Sequence, residues 1–555
     1  MSKRTELANL IFPKINKTIN DLEGLYPERD LKMGAIVTRF APSPTGFLHT
    51  GSLFTALIAS KIALDSEGIF YIRLEDTDTK REIKGSDELL IRQLEEFNIN
   101  INEGYLGVKE EGSYGPYRQS LRKEIYEVVI KEMLINDLAY PCFLTEEELT
   151  KLREEQTLNK EITGVYGSYA IYKNLDPLTA IEYIKAGKPY VIRFKSSGDH
   201  ANKIKVKDEI RGELELTQND QDIVILKSDG LPTYHFAHVV DDHFMHTTLV
   251  TRGEEWLPSL PIHLDLFDAL NFKRVKYAHL PVIMKLDDGH RRKLSKRKDS
   301  EASVDYFLER GYEPSSLLVY LMTIANSNYE DYLVRDKNYD LKTFKFNLKK
   351  MSLDGALFDL DKLNFYAKEI LAKMNKEEIA SKALTYASLY DKDFESFINN
   401  DYSRFIEIIN IDREKKNPRK DYAKYSDIYD VIKFFDLNIY KEMLEKLTLN
   451  FKEGLSKDLI INFLEDYKNS FNLEGDESTW FNNIKSIAAR HNFASDSKTY
   501  KENPGAYNGN INDACEIIRI AITLRNITPN LYEILKIIGN EEIKLRLDLI
   551  ISKLA

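Results

Sequence analysis

Ala35-Ile-Val-Thr-Arg-Phe40 is a short β-rich run, and Pro42-Ser-Pro-Thr-Gly46 must end it. Helical spacing follows from Ser52 to Asp65 through Leu53, Ala56, Leu57 and Ile62. A second β-rich run, Ile69-Phe-Tyr-Ile-Arg-Leu74, stops abruptly at Glu75-Asp-Thr-Asp78. Strand, helix and strand this close together form a βαβ unit, which builds parallel sheets through right-handed crossovers. No bulk property narrows the choice of fold as far. In an open parallel sheet, ligands bind beyond the carboxyl ends of the strands, at the switch point, so the residues at those ends come first.

The same rhythm returns far along the chain. Asp222–Leu226 reads as a strand, Ser228-Asp-Gly-Leu231 as a turn, Pro232–Val240 as the way into a helix, and Thr247–Val250 as another strand before Arg252-Gly-Glu-Glu-Trp256. Residues 116–220, between the two regions, are mixed and read as an inserted domain. Beyond residue 315 Leu, Ile and Phe recur at helical spacing. A chain of 555 residues is too long for one core. The expected architecture is multidomain α/β plus all-α. An N-terminal extension (1–34) precedes a split Rossmann-type nucleotide-binding domain (35–115 and 221–315) that carries the inserted domain. Two helical domains follow, 316–375 and 376–555.

The strand ends carry Arg39 and Ser43, then Glu75, then Arg252 and Glu255. A carboxylate suits an ammonium and a guanidinium fork suits a carboxylate, so the set could recognise a zwitterion; ordinary strand-end polarity is the alternative. Pro42–Ser52 runs into a helix start, where free N–H groups, His49 and Ser52 suit phosphate and Gly51 permits close approach; a capped proline turn would look alike. Lys293-Leu-Ser-Lys296-Arg-Lys298 supplies cations of the kind that meet charge developing on phosphorus, though a solvated basic loop or an RNA-backbone patch would read the same way.

The net charge of −11 weighs little against nucleic-acid binding, which depends on local Lys/Arg patches. Two cysteines, Cys142 and Cys515, exclude a disulfide framework and a zinc site of several thiolates. No run of 18 or more apolar residues and no signal peptide are read, so a cytoplasmic protein with no membrane partner is expected.

Taken in order, these segments resemble bacterial-type glutamyl-tRNA synthetases. Thr38-Arg-Phe-Ala-Pro-Ser-Pro-Thr-Gly46 with His49-x-Gly51-Ser52 is similar to the family's first signature. Leu74–Asp78, Gly115–Ser120, Lys227–Ala237, Val239–His243, Thr251–Trp256 and Lys293–Arg297 resemble its later elements, and Ile518–Arg525 and Thr528–Ile534 match more loosely. The resemblance implies a glutamate–tRNA ligase: ATP with Mg²⁺ activates L-glutamate, which is then esterified to the 3′ end of tRNA(Glu), with tRNA(Gln) left open as a second acceptor. It also implies roles. Arg39, Ala41, Ser43, Glu75, Tyr234 and Arg252 would hold glutamate, with Arg39 on its side-chain carboxylate. His49, Gly51, Ser52, Glu255, the backbone near Ile283 and Lys296 would hold ATP. His49, Ser52, Lys293 and Lys296 would serve the transfer, and Arg118 would meet tRNA. No residue acts as a covalent nucleophile. A monomer is expected, and no metal is expected on protein side chains.

Some features depart from the family. Some relatives begin a zinc site with Cys-x-Cys, but Cys142-Phe-Leu144 lacks the second thiol, so no zinc is expected. His238 stands where relatives often carry Asn; it either touches glutamate or packs within its helix. Lys415, Lys416, Arg419, Lys420 and Lys424, interleaved with Tyr422 and Tyr425, suit an anticodon loop with splayed bases as well as they suit a charged turn. Ala-Pro-Ser-Pro-Thr-Gly46 and the helical C-terminal region separate the chain from glutaminyl-tRNA synthetases.

Overall fold

A computed structural model describes every residue except Met1, Thr79, Lys296, Lys337 and Asn338. Two compact units emerge: residues 1–307 with 318–359, and residues 308–317 with 360–555. No helix among the described residues is long and apolar enough to cross a membrane.

The first unit opens with α1 (Lys3–Ile11) and α2 (Ile19–Leu25), capped by the side chains of Ser2 and Thr18. They are more than an appended extension. Ala8, Phe12, Ile15 and Leu22 are buried in one apolar cluster with Ile125, Val129 and Met133. Four apolar anchors were too few to announce a core in so polar a stretch.

β1 (Val37–Phe40), α3 (Thr50–Asp65), β2 (Ile69–Ile72), α4 (Ser86–Glu96) and β3 (Glu103–Tyr105) build the first half of the sheet. Pairing is parallel, with Arg39 opposite Tyr71 and Tyr71 opposite Glu103; β4 (Glu110–Glu111) turns back on β3. Every residue of β1 is buried, as befits a parallel strand covered on both faces. Then come α5 (Lys123–Ile135), β5 (Ala139–Cys142), α6 (Glu146–Leu158), α7 (Pro177–Lys185), β6 (Val191–Phe194), and the antiparallel pair β7 (Lys203–Asp208) and β8 (Gly212–Thr217). The second half contains β9 (Val224–Leu226), α8 (Tyr234–Phe244), β10 (Leu249–Gly253), α9 (Leu260–Ala269), β11 (Lys276–Leu280), β12 (Met284–Asp287) and β13 (His290–Lys293). β10 and β11 are parallel. Thr248 N–H reaches the Val37 carbonyl at 3.0 Å, and Val37 N–H reaches Thr248 Oγ1 at 2.8 Å, which sets β10 beside β1. The spatial order β3-β2-β1-β10-β11 is that of a doubly wound fold with its switch point between β1 and β10.

Two pairings differ from the sequence reading. β9 pairs antiparallel with β6, which pairs with β5, so β9-α8-β10 joins strands of two different sheets and is not a βαβ unit. The β7–β8 hairpin, read as part of the insert, touches β11 through Asp208 and Tyr277 and extends the second-half sheet. Local pattern reports that a segment is a strand, whereas its partner is set by distant residues.

The second unit is mainly helical. Its helices, among them Leu360–Lys373, Lys376–Tyr390, Lys457–Ser470, Ile511–Thr523 and Asn540–Leu554, bury one continuous apolar cluster. Tyr422 and Tyr425 belong to that cluster, and the Tyr425 hydroxyl donates to Glu313 at 2.6 Å. These two rings are therefore core residues, not base-stacking platforms. An aromatic residue flanked by lysines at helical spacing also marks the seam between a core and its solvated face.

Candidate active site

A cavity of about 730 Å³ opens at the carboxyl ends of β1, β2, β10 and β11, beside the switch point. Its lining brings together Arg39, Ala41, Ser43, His49, Gly51, Ser52, Glu75, Tyr234, Arg252, Glu255, Ile283 and Lys293. Residues far apart in sequence thus converge because strand ends in this topology converge.

Beneath one side lies a dense ionic network. Arg73, fully buried on the strand end after β2, donates to Asp242 at 2.6 Å and to Glu75 at 3.0 Å, and lies 3.6 Å from Asp241. Arg122 donates to Asp241 at 2.6 Å, and Gln119 and Tyr126 add donors to the same carboxylate. Burial alone would raise the Asp242 carboxyl, but Arg73 and Arg39 overcome this and hold it below the ordinary carboxylate range. Burial instead raises Glu75, against the pull of Arg73 and Arg39. Arg39 meets its neighbours only at long range: 3.4 Å to Asp242, to the Thr251 carbonyl and to His238 Nδ1. Burial opposes its charge, and Asp242, Tyr234 and Glu75 together more than restore it. A cation held this loosely keeps its guanidinium fork available to a ligand.

Arg252 is supported by neutral acceptors. Its Nε donates to His279 Nε2 at 3.0 Å and its NH1 to His263 Nδ1 at 3.1 Å. A guanidinium can only donate, so both ring nitrogens accept and the protons sit on the opposite nitrogens. His279 therefore donates through Nδ1 to Asp208 at 2.7 Å, and His263 through Nε2 to His235 Nδ1 at 3.0 Å. Burial pushes all three imidazoles down, His235 to about 4. With no carboxylate in direct contact among the described residues, Arg252 presents its full charge to the cavity. Tyr234 and Trp256, with ring centroids 4.5 Å apart, form an aromatic wall beside it.

The opposite side suits phosphate. α3 begins after His49 without a side-chain cap, and Gly51 and Ser52 of its first turn line the cavity. A Cβ on Gly51 would meet nothing within 4 Å, so the space next to it is open. His49 Nδ1 lies 3.3 Å from the Ala302 carbonyl, and Thr50 Oγ1 donates to the Glu301 backbone carbonyl at 2.6 Å, tying the helix start to residues 301–302. β12 and β13 form a hairpin closed by Asp288-Gly289, both at positive φ, a two-residue turn that the sequence announces as Asp-Gly. Asp299 clamps the basic loop that follows. It accepts two hydrogen bonds from Arg292, at 2.6 and 2.8 Å, and one from Ser295 N–H at 2.8 Å; the Arg292 contacts lead in holding its carboxyl low. Lys293 pairs with Glu255 at 3.1 Å on the exposed rim, and the Ile283 carbonyl accepts Leu294 N–H at 2.9 Å. Lys296 lies outside the described residues.

Other expected residues fall elsewhere. His238 does not line the cavity. It is fully buried, 3.0 Å from the Tyr277 hydroxyl and 3.2 Å from Asp242, with its ring against His263, so it supports Arg39 from behind. Arg118 is engaged by Asp87 and Asp76 and stands 5.1 Å above the Tyr105 ring. In the second unit Arg419 forks onto Asp421, at 2.7 and 2.9 Å, and Lys420 pairs with Glu369. Arg73, Asp241, Asp242, His263 and His279 were missed by sequence reasoning. Asp241-Asp242 did carry a signal: both fall among the buried apolar positions of α8, where a charge must be paired.

Comparison with known proteins agrees with this fold. The family described as class I tRNA synthetases (E and Q), catalytic domain, matches residues 35–365. A glutamate–tRNA ligase of Clostridium perfringens (strain 13) is 45% identical over 546 residues, covering 98% of this chain and 99% of the relative. Another, from Sorangium cellulosum, is 35% identical over 95% of this chain and 96% of its own length. Among solved structures, a glutamate tRNA ligase from Elizabethkingia meningosepticum in complex with its amino acid superposes with a TM-score of 0.75 at 27% identity, covering 94% of this chain and all of that one.

Proposed function

The chain belongs to the glutamate–tRNA ligases, class I tRNA synthetases, and on that premise we propose how its cavity works. One observation carries the reading: two buried guanidiniums, Arg39 and Arg252, and one buried carboxylate, Glu75, converge at a single cavity, whose other charged side chains Asp78, Arg81, Glu255 and Lys293 are exposed. Glutamate has two carboxylates and one ammonium, the complement of that set. Arg39 takes the side-chain carboxylate and Glu75 the ammonium. Arg252 and Tyr234 complete the amino-acid pocket, with Ala41 and Ser43 on its border.

ATP lies along the other side. The uncapped start of α3, with His49, Gly51 and Ser52, receives its phosphates, and Glu255 and the backbone at Ile283 border the adenosine. Mg²⁺ bound with ATP would be held mainly by phosphate oxygens and water and would offset phosphate charge. A glutamate α-carboxylate oxygen attacks the α-phosphorus and pyrophosphate departs; Lys293 and Lys296 meet the charge that develops. The terminal ribose hydroxyl of tRNA(Glu) then attacks the activated carbonyl and AMP leaves. Alignment of bound reactants can supply about 7–11 kcal/mol of barrier lowering, which suits a cavity with no strong base at its centre.

Charging of radiolabelled glutamate onto purified tRNA(Glu) and tRNA(Gln), in parallel, tests this reading. Charging of tRNA(Glu) alone marks a discriminating enzyme. Charging of both marks one whose misacylated tRNA(Gln) must be amidated afterwards. No charging of either defeats the reading.

A further inference from the structure

A second cavity of about 260 Å³ lies apart from the first, between α6, the 164–165 loop, β6 and the start of α8. Arg193 of β6 lines it and is only 7% exposed. Its NH1 donates to the Asp222 backbone carbonyl at 2.8 Å, and its Nε has no hydrogen-bond partner among the described residues. The Asp222 side chain does not neutralise it. That carboxylate accepts Lys173 at 3.0 Å, Ser196 N–H at 2.9 Å and the Tyr140 hydroxyl at 2.9 Å. No described carboxylate forms an ion pair with Arg193, so a buried guanidinium faces a cavity without a counter-ion. Burying a charge is costly unless it is paired.

The remaining lining matches the missing partner. Arg153, exposed on α6, adds a second cation at the mouth, and Gln221 and His235 add side chains that can donate. His235 Nδ1 accepts from His263, so its own proton is on Nε2. Among the described residues, no acidic one lines the cavity apart from Asp222, already engaged by Lys173. A planar guanidinium with free donors beside a second arginine is the standard chemistry for phosphate oxygens.

We propose that this second cavity is a phosphate-binding site, with Arg193 as its buried anchor and Arg153, Gln221 and His235 as supporting donors. Its occupant is a phosphate oxyanion, from free phosphate or from a phosphodiester of bound tRNA. His235 also leads through His263 to Arg252, so occupancy is expected to raise the affinity of the imidazole chain for a proton and to be felt at the first cavity.

Calorimetric titration of the full chain with inorganic phosphate tests the site. A saturable event is expected in wild type and also in Lys293→Gln, which removes a cation assigned to the phosphates of the first cavity and so separates binding there from binding here. In Arg193→Gln it should weaken by at least about thirtyfold. If Arg193→Gln does not fold, Arg153→Gln and His235→Gln, at exposed and half-buried positions, should each still weaken binding several-fold. Displacement of phosphate by intact tRNA, but not by tRNA trimmed of its 3′ CCA, identifies a phosphodiester occupant; retention in the presence of tRNA identifies free phosphate. Absence of saturable binding, or equal affinity in wild type and all the cavity variants, overturns the proposal.

Discussion

Arg73 and Asp242 meet at 2.6 Å with both side chains fully buried, and neither touches the cavity that they support. Asp242 also stands 3.4 Å from Arg39, and Arg73 holds Glu75 at 3.0 Å. One ion pair therefore positions both the cation and the anion assigned to glutamate. Asp242→Asn would leave two buried guanidiniums undercompensated. The expected loss is about 3–5 kcal/mol of unfolding free energy, with a raised KM for glutamate in whatever folded fraction remains. Urea denaturation measures the first and aminoacylation kinetics the second; a loss below about 1 kcal/mol would mean that the pair is replaceable.

The imidazoles behind Arg252 tie stability to pH. His235, His263 and His279 have folded-state values below the ordinary 6.5, His235 at about 4. Above 6.5 both folded and unfolded chains carry them neutral, and they contribute no slope. As pH falls from 6.5 towards 4 the unfolded chain takes up protons that the folded chain refuses, so stability declines. Denaturation midpoints at pH 7.5, 6.0 and 5.0 should fall in that order. The glutamate KM of the folded chain should stay level over the same window, because His263 and His279 remain neutral there and go on accepting from Arg252. In His263→Gln the acid decline of stability should shrink; a decline identical to wild type would exclude His263 from that role.

Asp299 is buried, yet it acts on an exposed loop. It fixes Arg292 and the Ser295 N–H just ahead of the lysines assigned to the phosphates. Asp299→Asn should leave the fold and tRNA affinity intact and lower kcat by about a hundredfold through misplacement of the loop. Pyrophosphate exchange in the presence of tRNA reads that loss, and unchanged exchange would show that the loop finds its position without the clamp.

Gly51 offers the inverse case, a residue with room around it that the ligand is expected to need. A Cβ there meets no protein atom within 4 Å. Gly51→Val should therefore preserve Tm while raising the KM for ATP, and glutamate affinity should be little changed. A fall in Tm with unaltered ATP kinetics would place the nucleotide elsewhere.

Much of this site was legible because it rests on strand ends. Arg39, Glu75 and Arg252 stand where β-rich runs stop, and alternation along a short strand leaves little freedom in where its end residues go. The partners behind them were not legible. Asp242 and His263 lie within helices, and nothing local says that one faces Arg73 and the other Arg252. His238 illustrates the limit: four residues beyond Tyr234 it shares that residue's helix face and stacks on its ring, yet only Tyr234 lines the cavity and His238 is buried against Tyr277. The lysine-rich stretch around Arg419 failed differently. Its cations find carboxylates, Asp421 and Glu369, that are invisible to a reading of like charges, and its tyrosines face inward.

Binding of two stable adenylate mimics, glutamyl-sulfamoyl-adenosine and its glutaminyl counterpart, bears on the heart of the matter, because they differ only in the charge that Arg39 is assigned to meet. Calorimetry on the wild-type chain should find the glutamyl compound tighter by at least about a hundredfold, and Arg39→Ala should erase most of that gap. Equal affinity for the two in the wild-type chain would mean that the two guanidiniums and Glu75 do not form a glutamate pocket.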